Sequence, residues 1–304
     1  MKKAPLSWII LLILSIIWGS SFILMKKGMY TIDGAPIFSD TQVASIRMTL
    51  AGLVLLPFAL KGIRRIKTVA DFVLLAVVGL VGNFIPAFLF TYAETGVSSG
   101  YAGMLNSFTP IFAILIGFVV FRKSLSRAQI MGVAIGTVGI VLLAIAGNNL
   151  SRSGSWNHIF AIILATLCYA ISLNIIKNAL RAYKSIEITA ISFLIVLIPS
   201  IISVFSTDAL TLFRSNDFAL EGFAYIVVLG VVGTALAVLL FNKLISISSV
   251  LFASSVTYLI PIVAVLIGLA FNEKINLFQI CSMFVVLSGV FVANFMPRWN
   301  RTNE

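Results

Sequence analysis

The chain has 304 residues, of which 60% are hydrophobic and only 10% charged, and it carries a formal net charge of +11. A soluble domain averages about 45–50% apolar and about 25% charged residues, so too little charge is present to cover a soluble surface and the apolar excess must face lipid. Two cysteines and a single histidine exclude a disulfide framework, a histidine-rich metal site and most Ser/His/Asp catalysis.

A helix needs roughly 20 apolar residues to cross about 30 Å of hydrocarbon. In chain order, apolar runs lie at 6–25, 41–60, 72–92, 98–120, 128–146, 159–177, 187–206, 222–242, 249–270 and 277–296. The first follows Lys2 and Lys3 as a signal peptide would. It is too long and lacks a small-residue cleavage site, so it is expected to remain as the first spanning helix. Turn and charge signals separate the runs: Lys61-Gly62 with Arg64-Arg65, then Gly147-Asn148-Asn149, then Ser215-Asn216-Asp217. β-barrel strands would read as alternating segments of about ten residues. Continuous runs instead satisfy their backbone hydrogen bonds in lipid as helices. The expected class is an all-α polytopic membrane protein with ten transmembrane helices and no soluble domain.

Ten spans put both termini on one side. All but Lys26, Lys27, Arg47, Arg152, Arg214 and Lys274 of the 21 Lys and Arg residues fall on that side, leaving 21 − 6 = 15 there. Of the acids, only Asp71, Glu187 and Glu304 do. This bias is the positive-inside signature, and it predicts cytoplasmic termini in a cytoplasmic (inner) membrane. The basic surface then needs no nucleic-acid partner; the partners expected are the lipid bilayer and a small-molecule substrate.

The second half echoes the first. Phe72, Gly79 and Gly82 recur as Phe223, Gly230 and Gly233, an offset of 223 − 72 = 151. Leu89-Phe90 recurs as Leu240-Phe241, and Pro110, Ala113 and Gly117 recur as Pro261, Ala264 and Gly268. Past Lys123 and Lys274 the offset becomes 150, pairing Gln129 with Gln279 and Gly139 with Gly289. Five helices per copy is an odd number, so residues 1–147 and 148–304 are expected to form two repeats of inverted topology, a common plan of secondary transporters.

Trp18-Gly19-Ser20-Ser21-Phe22 followed by Lys26 resembles the first-helix motif of the EamA family in the drug/metabolite transporter superfamily. Arg47 sits where that family's second helix usually carries Arg, and Ser98-Ser99 followed by Pro110 is similar to its fourth helix. Asn272-Glu273-Lys274 through Gln279 and Gly289 resembles the family's last hairpin. Arg122 stands where the first copy would carry a Glu opposite Glu273. The resemblance implies ten helices and carrier-mediated transport, most often export of metabolites or amino acids.

Polar residues matched at the 151 offset are Trp18 with Tyr169, Ser21 with Ser172, Asn83 with Thr234, and Asn106 with Thr257. Each lies near the centre of its run, where a polar group either bonds another helix or lines a wet cavity. They and Arg47, about two turns inside its helix, form the candidate substrate-binding set. Pro110 and Pro261 free carbonyls one turn earlier and are candidate hinges. Gly132 and Gly136 are spaced for close helix packing, within one chain or across a homodimer. Glu94 is expected at an interface and solvated. All ten acids fall in loops or at span ends, so no buried proton carrier is expected, and neutral, zwitterionic or carboxylate-bearing solutes are favoured over lipophilic cations. No catalytic residue, metal or cofactor is expected. An intramembrane enzyme would need a nucleophile with a base or paired Asp residues within the spans, and a channel a ring of charge or carbonyls. The favoured function is secondary, non-ATP transport of small organic metabolites.

Overall fold

The computed structural model describes residues 4–66, 68–148, 156–247 and 256–299. Lys2, Lys3, Lys67, Arg152, Arg301 and Glu304, and the start of the ninth expected span at 249–255, lie outside them. Among the described residues the chain is helical. The helices are α1 (Ala4–Met29), α2 (Asp40–Gly62), α3 (Val69–Glu94), α4 (Ser99–Val119), α5 (Arg127–Asn148), α6 (Trp156–Ala179) and α7 (Ser185–Ser206). A short helix, Leu212–Ser215, precedes α8, which runs from Ala219–Gly230 through Val231–Leu236 to Ala237–Ile247; α9 (Val256–Ala270) and α10 (Leu277–Trp299) follow. Eight are long and apolar enough to cross a membrane; the other two expected spans are represented by shorter apolar helices, Val256–Ala270 and Leu277–Ala293.

Helix starts follow from local chemistry. Ser39 and Gln42 form a capping box that opens α2, and Thr68 accepts the amide of Asp71 to open α3. The matched Gln129 and Gln279 do the same work in each half. Gln129 Oε1 accepts from the amide of Ser126, whose Oγ accepts from the amide of Gln129; Gln279 and Asn276 repeat the exchange. The residue entering each of these turns, Arg122 and Asn272, has positive φ (50° and 58°), an offset of 272 − 122 = 150.

Two helices carry a widened π-helical turn at matched places, Leu80–Phe84 in α3 and Val231–Leu236 in α8. Each contains one of the matched glycines, Gly82 or Gly233, and one of the matched polar residues. Such turns bulge a helix and are frequent at functional sites. α4 is broken instead, between Asn106 and Thr109, where Pro110 has no N–H to give. The carbonyl that Pro110 leaves free, that of Asn106, accepts the hydroxyl of Thr109 at 3.1 Å. Pro261 lies inside the continuous helix α9.

The largest helix contacts are α5 on α10 and α2 on α7. The halves also exchange partners: α1 packs on α8 and α9, and α6 packs on α3 and α4. Glycines set the closest approaches. A Cβ at Gly132 would meet the carbonyl of Gly289, at 2.5 Å, and one at Gly139 would meet the amide of Val286, at 2.6 Å. Gly136 faces Gly289 and Ile111. Gly132 and Gly136 therefore pack α5 within the chain. The main core runs through Leu11, Leu14, Met104, Leu105, Phe108 and Leu143, and a second cluster, with Met48, Leu55 and Phe193, fills the α2–α7 contact.

Candidate functional site

Where the two halves exchange helices, the matched residues meet across the exchange. Trp18 of α1 packs on Phe241 of α8, with ring centroids 5.3 Å apart, and its counterpart Tyr169 of α6 stacks on Phe90 of α3 at 5.9 Å. Phe241 and Phe90 are themselves a matched pair, so one aromatic contact is built twice. Phe90 also meets Phe22 edge-on, at 5.8 Å, which joins the two stacks through α1.

The serines of the candidate set lie against glycines. Ser21 and Ser172 are each 5% exposed. Ser21 donates to the carbonyl of Ile17 at 2.9 Å in its own helix. A Cβ on Gly233 would come 3.1 Å from Ser21 Oγ, and one on Gly82 would collide with Ser172. Both serines are thus the small partners of a glycine at a helix crossing. Asn83 and Thr234 serve the widened turns. Each donates to the carbonyl five residues back, Asn83 to Val78 at 3.2 Å and Thr234 to Leu229 at 3.1 Å.

The remaining members keep polar capacity. Trp18, Tyr169 and Asn106 are half-buried, and among the described residues the indole N–H, the phenol and the amide make no hydrogen bond. Asn106 lies at the break in α4. Thr257 is half-buried near the start of α9 and is already engaged. Arg47 reaches into the interior from α2. Its Nε donates to Thr234 Oγ1 at 3.1 Å and its Nη1 to Met25 Sδ at 3.5 Å, and it lies within electrostatic reach of Tyr169 and Glu94. Among the described residues no carboxylate pairs with it.

Arg47 has no charged counterpart. Gly79 would meet the carbonyl of Ser192 where Gly230 would meet that of Arg47, so contact symmetry pairs Arg47 with Ser192, at 192 − 47 = 145 rather than 151. The guanidinium makes this interior asymmetric and locally positive.

Two expectations at the helix ends are corrected. Glu94 is not solvated; it is 1% exposed beneath the contact between α1, α4 and the α9–α10 turn. Glu94 does close its span, as expected, but it is withdrawn from solvent there. Lys26 pairs with Glu273 at 3.5 Å, and Glu273 accepts the amides of Ser99 and Gly100 at 2.8 Å each. In the first half the residue in the place of Glu273 is Lys123, not Arg122. The Lys123 amide donates to Gly117 O at 3.1 Å as the Glu273 amide donates to Gly268 O at 2.9 Å. The offset therefore shifts one residue earlier than matching identities indicated. The cluster of Lys26, Glu94 and Glu273 carried no pattern in the sequence, because its members come from three separate parts of the chain.

The family model described as the EamA-like transporter family matches the chain twice, over residues 6–145 and 156–295. The probable terminal-alkyne amino-acid exporter of Streptantibioticus cattleyicolor is 24% identical, over 88% of this chain and 86% of that protein. The uncharacterized inner membrane transporter YedA of Escherichia coli K12 is 27% identical, over 84% of this chain and 79% of its own. An S-adenosylmethionine/S-adenosylhomocysteine transporter of Chlamydia muridarum is 29% identical, over 66% of this chain and 62% of that one. A solved crystal structure aligns with a TM-score of 0.59 at 15% identity, covering 98% of this chain and 99% of that one, a likeness of fold.

Proposed function

The chain belongs to the EamA-like transporter family, and from that premise we propose that it is a secondary carrier exporting a small carboxylate-bearing metabolite, an amino acid or a close relative. It is a multi-pass membrane protein, and we place its N- and C-termini in the cytoplasm on the charge bias of its loops. The substrate lies between the halves. Arg47 holds its carboxylate in a two-pronged contact, Trp18 and Tyr169 flank its apolar part, and Asn106 adds a polar contact at the break in α4. Pro110 and Pro261 are the points at which α4 and α9 bend as access alternates.

One observation carries this proposal. Arg47 is a half-buried cation about two turns inside α2, bonded to a hydroxyl and a thioether and paired with no anion among the described residues. An unpaired charge withdrawn even partly from water is costly, and a substrate carboxylate would compensate it. The relative named a probable terminal-alkyne amino-acid exporter agrees with an apolar body beside a carboxylate.

Counterflow into proteoliposomes with a radiolabelled panel of amino acids, other carboxylates and organic cations tests it. The expected result is uptake of one or more carboxylates, lost in Arg47→Gln. Uptake confined to organic cations, and unaffected by Arg47→Gln, would overturn it. Tags on both termini should report the cytoplasm, with 148–157 and 207–221 reached from outside; an external C-terminus would reverse the orientation.

A further inference from the structure

The end of the bundle where α3 passes into α4 buries a carboxylate that the proposed carrier does not use. Glu94 closes α3 and is 1% exposed. Its Oε2 lies 3.4 Å from Ser99 Oγ, and its Oε1 is buried with no hydrogen-bond partner among the described residues. The nearby ammonium belongs to another acid: Lys26 sits 3.5 Å from Glu273, whose side chain is 8% exposed. Glu273 also holds the first amides of α4, and so fastens the α9–α10 turn across the end of the bundle. A Cβ on Gly268 would stand 2.6 Å from Glu273 Oε2, so the carboxylate fits this notch closely.

The groups facing Glu94 are Lys26 of α1, Arg47 of α2, Ser99 of α4 and Glu273 of the α9–α10 turn. His158 of α6 meets Thr95, the next residue, at 3.2 Å. Two carboxylates thus share one close ammonium, while Arg47 is bonded to Thr234. An ionised Glu94 with one oxygen facing no donor would be expensive to bury. A neutral acid asks only for a partner to its hydroxyl, and Ser99 Oγ can accept it.

We propose that Glu94 is a proton-binding site that operates a latch at this end of the bundle. With the proton on Glu94, Lys26 stays with Glu273 and the α9–α10 turn stays fastened to α4. When Glu94 releases its proton to water on that side, the new carboxylate draws Lys26 and repels Glu273, and the turn comes away. Only a proton is transferred. The latch exists at one end, because the equivalent turn at the other end carries Lys123 in place of Glu273. In the orientation proposed above this end faces outside, so external protons set it. The proposal does not depend on which solute is carried.

Spin labels at Thr95→Cys and Lys274→Cys, in a chain whose Cys168 and Cys281 are replaced by Ser, report the separation of the α3–α4 loop from the α9–α10 turn. Electron–electron double resonance in lipid nanodiscs should show a short distance in acidic buffer and a longer one in alkaline buffer. Because one proton is involved, the ratio of the two should change by up to about tenfold per pH unit across the transition. Glu94→Gln should hold the short distance throughout, Glu94→Asp should keep the transition, and His158→Gln should leave it unchanged. Difference infrared spectra should lose a buried carboxylic-acid band in Glu94→Gln alone, which tests the site even where a label perturbs the turn. A transition that persists in Glu94→Gln, one that vanishes in His158→Gln, or a wild-type distance indifferent to pH would each overturn the proposal.

Discussion

Lys123 and Glu273 make the same backbone contact with opposite charges. Each directs its amide to the carbonyl of a matched glycine, Gly117 or Gly268, at the turn that ends a matched helix. Glu273 finds a cation there, Lys26, whereas Lys123 finds Lys177 and Arg181. One of the two turns is therefore held by opposite charges, and the other faces like charges.

Lys123→Glu should relieve that repulsion. We expect a gain in thermal stability of at most ~1 kcal/mol, since the group is exposed to solvent, read by thermal unfolding in detergent at low salt. The gain should shrink as salt is added. No gain at low salt would mean that Lys177 and Arg181 do not act on this position.

The same cluster predicts a pH dependence. Partial burial first, then Lys177 and Arg181, hold the Lys123 ammonium below the ordinary lysine range. The folded chain then binds fewer protons than the unfolded chain just below that range, so stability should rise as pH climbs through it. Unfolding series in mildly to strongly alkaline buffers should show this slope in wild type and a smaller one in Lys123→Gln.

Gly82→Ala should destabilise the chain by roughly 1–3 kcal/mol, because the added methyl overlaps Ser172 in a tight crossing. Gly233→Ala should cost less, since its methyl would stand 3.1 Å from Ser21 Oγ. Ser172→Gly should restore much of the loss in Gly82→Ala. Melting temperatures of the two singles and the Gly82→Ala/Ser172→Gly double measure this, and additive losses would contradict the contact.

Members of the candidate set should separate in transport. Trp18→Ala, Asn106→Ala and Arg47→Gln should each lower counterflow tenfold or more while membrane expression holds. Ser21→Ala and Ser172→Ala should stay within about twofold, because those serines pack on glycine rather than face the interior. Initial rates normalised to protein in the membrane test this; equal losses in all five would remove the distinction.

Gly139→Leu should lower the melting temperature sharply without changing the molecular mass in detergent. A leucine there meets the α10 backbone at Val286 within the same chain. Light scattering coupled to gel filtration supplies the mass; a shift in oligomeric state at unchanged melting temperature would place this face between chains.

Much of this molecule is written locally in its residues. Continuous apolar runs, Lys and Arg placement and turn residues specify helices, because in lipid the backbone has no other partner than itself. The repeat was legible in Gly, Pro and Gln, since these mark crossings, breaks and caps that recur wherever the backbone does. Spacing could place Ser21, Asn83, Ser172 and Thr234 at the right depth. It could not tell a hydroxyl pressed on glycine or bonded to its own helix from one open to a substrate, because that depends on the facing helix. Nor could it pair Arg47 with Ser192, since α2 and α7 follow a different offset from the helices around them. The fate of Glu94 was decided by tertiary structure alone. A carboxylate at a helix end is solvated by default, and only the arrival of Lys26 from α1, Ser99 from α4 and Glu273 from the α9–α10 turn removes the water from around it.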